Sequence, residues 1–217
     1  MNYKVYNQFW NSSGIVNMNV DMEVLAKYCK PQDVFRCEKG IKQIQNLHRI
    51  DAPYFEEEEL DECSINGEWE EWLSEKLDYA EIDIMNMQYF IKHPDYKITS
   101  PHQDGAYFGK PDELIYTAWV PLQDVSPENS CLWYVSDNLS EILPHENVGT
   151  KVRTRTGATG YSQYTKSYDI DKFQPVSLKL GDMIIHDQFA LHYANENSTE
   201  IPRVALTFIF KTNKKLF

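Results

Sequence analysis

The sequence predicts a mainly β protein, an antiparallel barrel or sandwich with a layer of helices packed on it. Three observations predict it. After about residue 80, short runs rich in β-branched and aromatic residues recur, with Pro, Asn and Asp between them. Before that point, two stretches carry apolar residues at helical spacing. No internal repeat or low-complexity linker interrupts the 217 residues, a length that suits one domain able to enclose a ligand cavity.

Taken in order, DMEVLAKYCK and GEWEEWLSEKLDYAE are the helical stretches, the second with Trp69, Trp72 and Leu77 as its buried stripe. Between them, EEEELDE from Glu56 to Glu62 reads as a solvated loop or helix end. Residues 1–80 are therefore expected to form a helical layer and residues 81–217 the barrel of one domain. The predicted strands are IDIMNMQYFIK, LIYTAWVPL, CLWYV, TKVRTRT, GDMIIHD and RVALTFIF. In the last of them Val204, Leu206, Phe208 and Phe210 share one face, opposite Arg203, Ala205 and Thr207. In the first, Asn86, Gln88 and Lys92 share a face with Ile84 and Phe90, and either point to solvent or line a wet cavity. Gln88 is a candidate substrate contact on the second reading.

Composition excludes several classes of function. Charged residues make up 25% and apolar ones 42%, ordinary for a soluble globular protein. A formal charge of −12 argues against nucleic acid as a partner, because phosphate binding needs a basic face. No run approaches the length of a membrane span. The four cysteines, Cys29, Cys37, Cys63 and Cys131, form no C-x-x-C pair, and no signal-like apolar segment follows Met1. A reduced, cytoplasmic protein without thiolate zinc is the expectation.

The stretch SPHQDGAYF sets His102 and Asp104 one residue apart, expected on a β-turn. Two imidazoles and one carboxylate on one side of an octahedral Fe(II) leave three positions open. A third ligand has to come from a distant strand. His48, His93 and His145 read as surface or packed histidines, whereas His186 and His192 both lie in GDMIIHDQFALHYANENSTEIPR. Arg203 follows His192 at the start of the last strong strand, where it either forms a surface ion pair or holds an anionic ligand bidentately. Elsewhere KVRTRTG sets Lys151, Arg153 and Arg155 at alternate positions. That face is either a strand edge protected by charge or a surface that draws in an anionic substrate.

Three segments taken together, HQDGAYF, WVPLQDVSPENSCLW and GDMIIHDQFALHYANENSTEIPRVAL, resemble the phytanoyl-CoA dioxygenase family of Fe(II)- and 2-oxoglutarate-dependent oxygenases. The likeness runs from about Met85 to Phe210. It implies a double-stranded β-helix (jelly-roll, cupin-like) barrel in which His102, Asp104 and His192 hold iron. It further implies that Arg203 pairs with the far carboxylate of 2-oxoglutarate and Lys92, in FIKHPD, with the near one. Trp119 would sit beside the co-substrate with Thr117 on the same strand, and Gln103 would face the substrate.

Two departures stand out. YVSDN replaces the family's Pro-Gly-Ser-His run, and Ala194 stands where a hydroxyl residue is usual. Because Asp104 is present, oxidation is expected over halogenation. The implied chemistry uses Fe(II), O2 and 2-oxoglutarate, with ascorbate as a candidate reductant, to hydroxylate a small molecule and release succinate and CO2. Two alternatives are a non-oxidative metalloenzyme, such as an isomerase or epimerase, and an inactive ligand-binding relative.

Overall fold

Strand hydrogen bonding organises almost everything the structure describes, which in this computed structural model is residues 1–10, 21–49, 68–78, 80–108, 110, 112–153 and 159–217. The early strands are β1 (Tyr3–Tyr6), β2 (Val34–Cys37), β3 (Gly40–Ile44), β4 (Ile82–Lys92), β5 (Thr99–Gln103) and β6 (Ile115–Pro121). The later ones are β7 (Leu132–Val135), β8 (Glu146–Arg153), β9 (Thr159–Tyr164), β10 (Phe173–Val176), β11 (Met183–Asp187), β12 (Leu191–Ala194) and β13 (Arg203–Thr212). A seven-stranded sheet runs in the order β1-β11-β6-β13-β4-β3-β2 and a four-stranded one in the order β10-β7-β12-β5. β8 and β9 pair as a separate ribbon. Their pairings are antiparallel, and chain neighbours such as β11 and β12 belong to different sheets, which is the jelly-roll arrangement.

The alternation along β13 sets the two layers of core. Leu206, Phe208 and Phe210 point to the outer face and pack with Leu25, Leu73 and Leu77. Ala205 faces the other way, into the space between the sheets, with Trp119, Leu132, Tyr134 and Ile184. Leu73 and Leu77 come from the helix Glu68–Lys76, one of the two expected; the other is the short Met22–Ala26, capped by Asp21. The side chains of Trp69 and Trp72, the acidic run Glu56 to Glu62, and Cys63 lie outside the described residues.

Three expectations need correction. The first 80 residues are not simply a helical layer, because β1, β2 and β3 extend both ends of the large sheet. These strands are only four or five residues long, too short for their alternation to stand out. Ile84 does not share a face with Gln88. Ile209 pairs with Asn86 and Phe210 with Ile84, so Met85 is an extra residue that turns Ile84 to the outer core. Finally, His102 lies on a strand rather than a turn, because Pro101 occupies the bulged part of β5 where no ladder N–H is needed. No described helix is long and apolar enough to cross a membrane.

Phe208 is fully buried in the outer core. Phe208→Ala is expected to cost about 3–5 kcal/mol of stability, read as a lower urea midpoint. A loss under about 1 kcal/mol would show that this face is not a packed core.

Candidate metal centre

Two crossings between the sheets bring the polar side chains together. β11 ends in the large sheet and β12 begins in the small one after a three-residue turn, so His186 and His192 face each other with ring centroids 4.5 Å apart. β5 lies beside β12 with His102 directly opposite His192, ring centroids 4.4 Å apart. Asp104 follows β5, where the chain leaves the small sheet through the short helix Gly105–Phe108. Gly105 is required there: its N–H donates to Gln188 O, and a Cβ would lie 2.9 Å from that carbonyl and against Ile142.

Hydrogen bonds fix the protonation pattern. Nδ1–H of His102 donates to Ser100 O at 2.8 Å and that of His192 to Ala190 O at 3.1 Å. A carbonyl only accepts, so in the neutral rings Nε2 is the nitrogen with the bare lone pair. These Nε2 atoms lie 3.7 Å and 3.9 Å from Asp104 Oδ1. One ligand atom from each of His102, Asp104 and His192 falls within 4.8 Å of the others. Atoms sharing an ion at bonds of about 2.1 Å and a right angle lie about 3 Å apart, so the three would draw in by roughly 1–2 Å on an ion.

The other carboxylate oxygen is held from behind. Asp104 Oδ2 accepts from the Thr117 hydroxyl at 2.6 Å and from His186 Nε2–H at 3.1 Å. With Nε2 protonated, His186 Nδ1 accepts from the buried Tyr134 hydroxyl at 2.9 Å. His186 and Thr117 are direct cross-strand partners on β11 and β6. Burial alone would raise the Asp104 pKa, but the His186 hydrogen bond and the surrounding His192, His186 and His102 rings hold it well below the usual range. Burial, with His102 and His186 nearby, pushes His192 well below its usual value. An ionised carboxylate and a neutral imidazole are the forms that bind metal.

Beyond the triad lies a buried cationic end. Arg203 and Lys92 are cross-strand partners on β13 and β4, 4% and 5% exposed. The guanidinium carbon stacks 5.3 Å from the Trp119 ring centroid. Among the described residues, Arg203 Nε and Nη1 are buried without a hydrogen-bond partner. Such donors are costly to leave unpaired, so this end fits an anion. Lys92 Nζ reaches Ala194 O at 3.2 Å, two residues along β12 from His192. The Lys92 ammonium therefore lies against the same strand that carries His192. The donor set and the orphaned guanidinium thus fit iron with 2-oxoglutarate.

Several expected contacts are placed differently. Lys92 stands beside Arg203, at the end meant for the far carboxylate rather than the near one. Thr117 gives its proton to Asp104, so it positions a ligand instead of touching a co-substrate. Gln103 does not face a substrate: its amide donates to Glu141 O and Phe189 O and accepts from Leu143 N–H, because alternation on β5 sends it away from His102. His93 and His145 are held by backbone groups. Lys151 and Arg153 lie on β8 with side chains outside the described residues, as is all of Arg155. Sequence reasoning missed Tyr134, since a tyrosine in a strand carries no signal until the pairing of β7 with β12 sets it opposite His192.

A jelly roll with two histidines and one carboxylate at a sheet crossing defines the 2-His-1-carboxylate class of non-haem metal sites. Residues 14–205 match the family model for phytanoyl-CoA dioxygenase (PhyH), and the chain belongs to that family. It is 27% identical over 139 residues to phytanoyl-CoA dioxygenase domain-containing protein 1 of Danio rerio, covering 63% of this chain and 47% of that protein. The Bos taurus protein of the same name is 24% identical over 174 residues, or 79% of this chain and 57% of that one. The chain thus spans about half the length of the curated relatives it matches.

Among solved structures, EvdO2 from Micromonospora carbonacea var. aurantiaca, complexed with 2-oxoglutarate, superposes with a TM-score of 0.66 at 18% identity, covering 100% of this chain and 88% of that one. The α-ketoglutarate-dependent epimerase SnoN from nogalamycin biosynthesis does so at 0.62 and 17%, covering 97% and 76%. At these identities the likeness shows the fold.

His186→Ala and Gly105→Ala should each weaken Fe(II) binding, measured by anaerobic equilibrium dialysis. The first removes a donor from Asp104 Oδ2; the second displaces the carboxylate. Loss of such supporting contacts typically costs tenfold to a hundredfold in metal affinity. Tyr134→Phe should cost less, as it acts through His186. Wild-type affinity in His186→Ala would remove His186 from the metal centre.

Proposed function

We propose that this chain holds Fe(II) on His102, Asp104 and His192 and uses 2-oxoglutarate and O2 to hydroxylate a small molecule. The observation that carries the reading is the buried guanidinium of Arg203, whose Nε and Nη1 have no hydrogen-bond partner among the described residues. A bound iron, keto acid and dioxygen supply oxidation of an unactivated C–H bond, with release of succinate and CO2. The protein's own residues position and insulate. Arg203, braced by Trp119, pairs with the far carboxylate; His186 and Thr117 hold Asp104 so that Oδ1 stays aimed at the ion. The burial of Arg203 and His192 keeps bulk water from this end of the site.

Substrate contact is assigned to Gln88. Its Oε1 accepts from Gln43 at 3.0 Å and Asn86 at 3.4 Å, and Asn86 Oδ1 is itself fixed by Asn46 N–H. With Oε1 so engaged, the Nε2–H donors are the part of the Gln88 amide that this reading gives to a substrate oxygen acceptor. An anionic substrate steered by Lys151, Arg153 and Arg155 rests on their sequence alternation. Free thiols at Cys29, Cys37 and Cys131 suit a reducing, cytoplasmic setting.

A non-oxidative Lewis-acid enzyme would leave Arg203 without a purpose. An epimerase outcome stays compatible with the co-substrate, since SnoN is described as α-ketoglutarate-dependent. Incubation of the iron-loaded protein with 2-oxoglutarate and a metabolite mixture, followed by mass spectrometry, should show one added oxygen per succinate formed. Succinate without an oxygenated product would reject hydroxylation. No succinate would favour the inactive relative.

Arg203→Ala should weaken 2-oxoglutarate binding about tenfold to a hundredfold, since a charge-assisted hydrogen bond contributes about 1.5–3 kcal/mol. Arg203→Lys should recover only part, lacking the planar fork. Calorimetry on metal-loaded protein reads this directly, and unchanged affinity in Arg203→Ala would reject the co-substrate site.

A further inference from the structure

Lys92 differs from an ordinary carboxylate-binding lysine in what surrounds it. Its Nζ donates to two neutral oxygens, Ala194 O on β12 at 3.2 Å and Thr99 Oγ1 on β5 at 3.4 Å. From β13 the charged group facing it is Arg203. The loop after β12 offers Glu196, which is exposed and so well screened. Just past the end of its own strand, the neighbouring His93 turns to Ile41 O on β3. Two buried cations thus stand side by side, with no carboxylate hydrogen-bonded to either among the described residues. Such a pair repels itself and lacks solvation, and losing one proton relieves both costs. Lysine can lose it and arginine cannot, because the guanidinium holds its proton far more tightly.

We propose that Lys92 is a proton-coupled second cation of the 2-oxoglutarate site, neutral when the site is empty at mildly alkaline pH and protonated when the far carboxylate arrives. This rests on the co-substrate reading above. The proton comes from solvent, adds to the Lys92 amine and leaves again with the diacid, so charge balances at each cycle of binding. The device makes the keto acid's second carboxylate the trigger for completing its own binding site. A monocarboxylate keto acid, having no far carboxylate, would not recruit the proton.

Burial, followed by the Arg203 charge, brings the Lys92 ammonium down to about 7, against a small upward pull from Glu196. The sign follows from linkage. The complex binds one more proton than the free site above about pH 7, so affinity falls as pH rises through that value. Between pH 6 and pH 8 the loss is about tenfold for a single coupled proton with this free-site value.

The test titrates 2-oxoglutarate into protein saturated with Fe(II) under argon, by calorimetry at pH 6, 7 and 8. At pH 8 the titration is repeated in HEPES and in Tris, whose different ionisation heats count the protons taken up. We expect about tenfold weaker binding at pH 8 than at pH 6, with close to one proton taken up at pH 8. Lys92→Arg, always charged, should bind with affinity independent of pH, and Lys92→Met should bind weakly and equally at each pH. Wild-type affinity that stays flat from pH 6 to 8, or a pH dependence unchanged in Lys92→Arg, overturns the proposal while leaving the co-substrate site intact. Absence of 2-oxoglutarate binding at every pH overturns both.

Discussion

The geometry of the site depends on how one carboxylate is divided. Asp104 directs Oδ1 at the two bare histidine nitrogens and gives Oδ2 to Thr117 and His186. Without those donors the side chain would be free to rotate or to present both oxygens. Each donor sits on a different strand of the large sheet, and Tyr134 on the small sheet fixes the tautomer of His186. The carboxylate is therefore tied to both sheets at once, and metal geometry becomes a property of how the sheets pack. Gly105 adds a steric limit, since the chain after Asp104 passes too close to Gln188 for any larger residue.

That arrangement separates two charges that would otherwise meet. The ion end is built from one anion and neutral imidazoles. The far end is built from Arg203 and Lys92, cations held by β13 and β4. A diacid spanning them matches both ends, whereas the cationic end alone is an unstable assembly of buried charge. The small residues that follow Arg203 on the same face of β13, Ala205 and Thr207, leave room for the guanidinium over the Trp119 ring.

How much of this was legible in the sequence follows from what each feature depends on. The alternation in RVALTFIF is local, and it separated the outer core of Leu206 and Phe208 from the inward Arg203. The candidate ligands His102, Asp104 and His192, which the fold brings together, were readable through family resemblance, because their order and neighbours recur; His-x-Asp alone was not specific. Features set by pairing between distant strands were hidden. The bulge at Met85 reversed Ile84, and β5 alternation buried Gln103 among loop carbonyls. The expected contact of Lys92 with the near carboxylate took no account of the register with β13, which sets it beside Arg203. The sequence leaves His186 open between a metal ligand and a core or supporting histidine, and its hydrogen bonds to Asp104 Oδ2 and the Tyr134 hydroxyl are those of a supporting residue.

The central claim is that a keto acid chelates an ion held by this triad. Anaerobic visible absorption of the protein with Fe(II) and 2-oxoglutarate tests it most directly. A weak charge-transfer band that appears only with both present, and that disappears in Asp104→Ala and in His192→Ala, is the predicted result. No band in the wild-type protein, or a band that survives in both variants, would contradict the account.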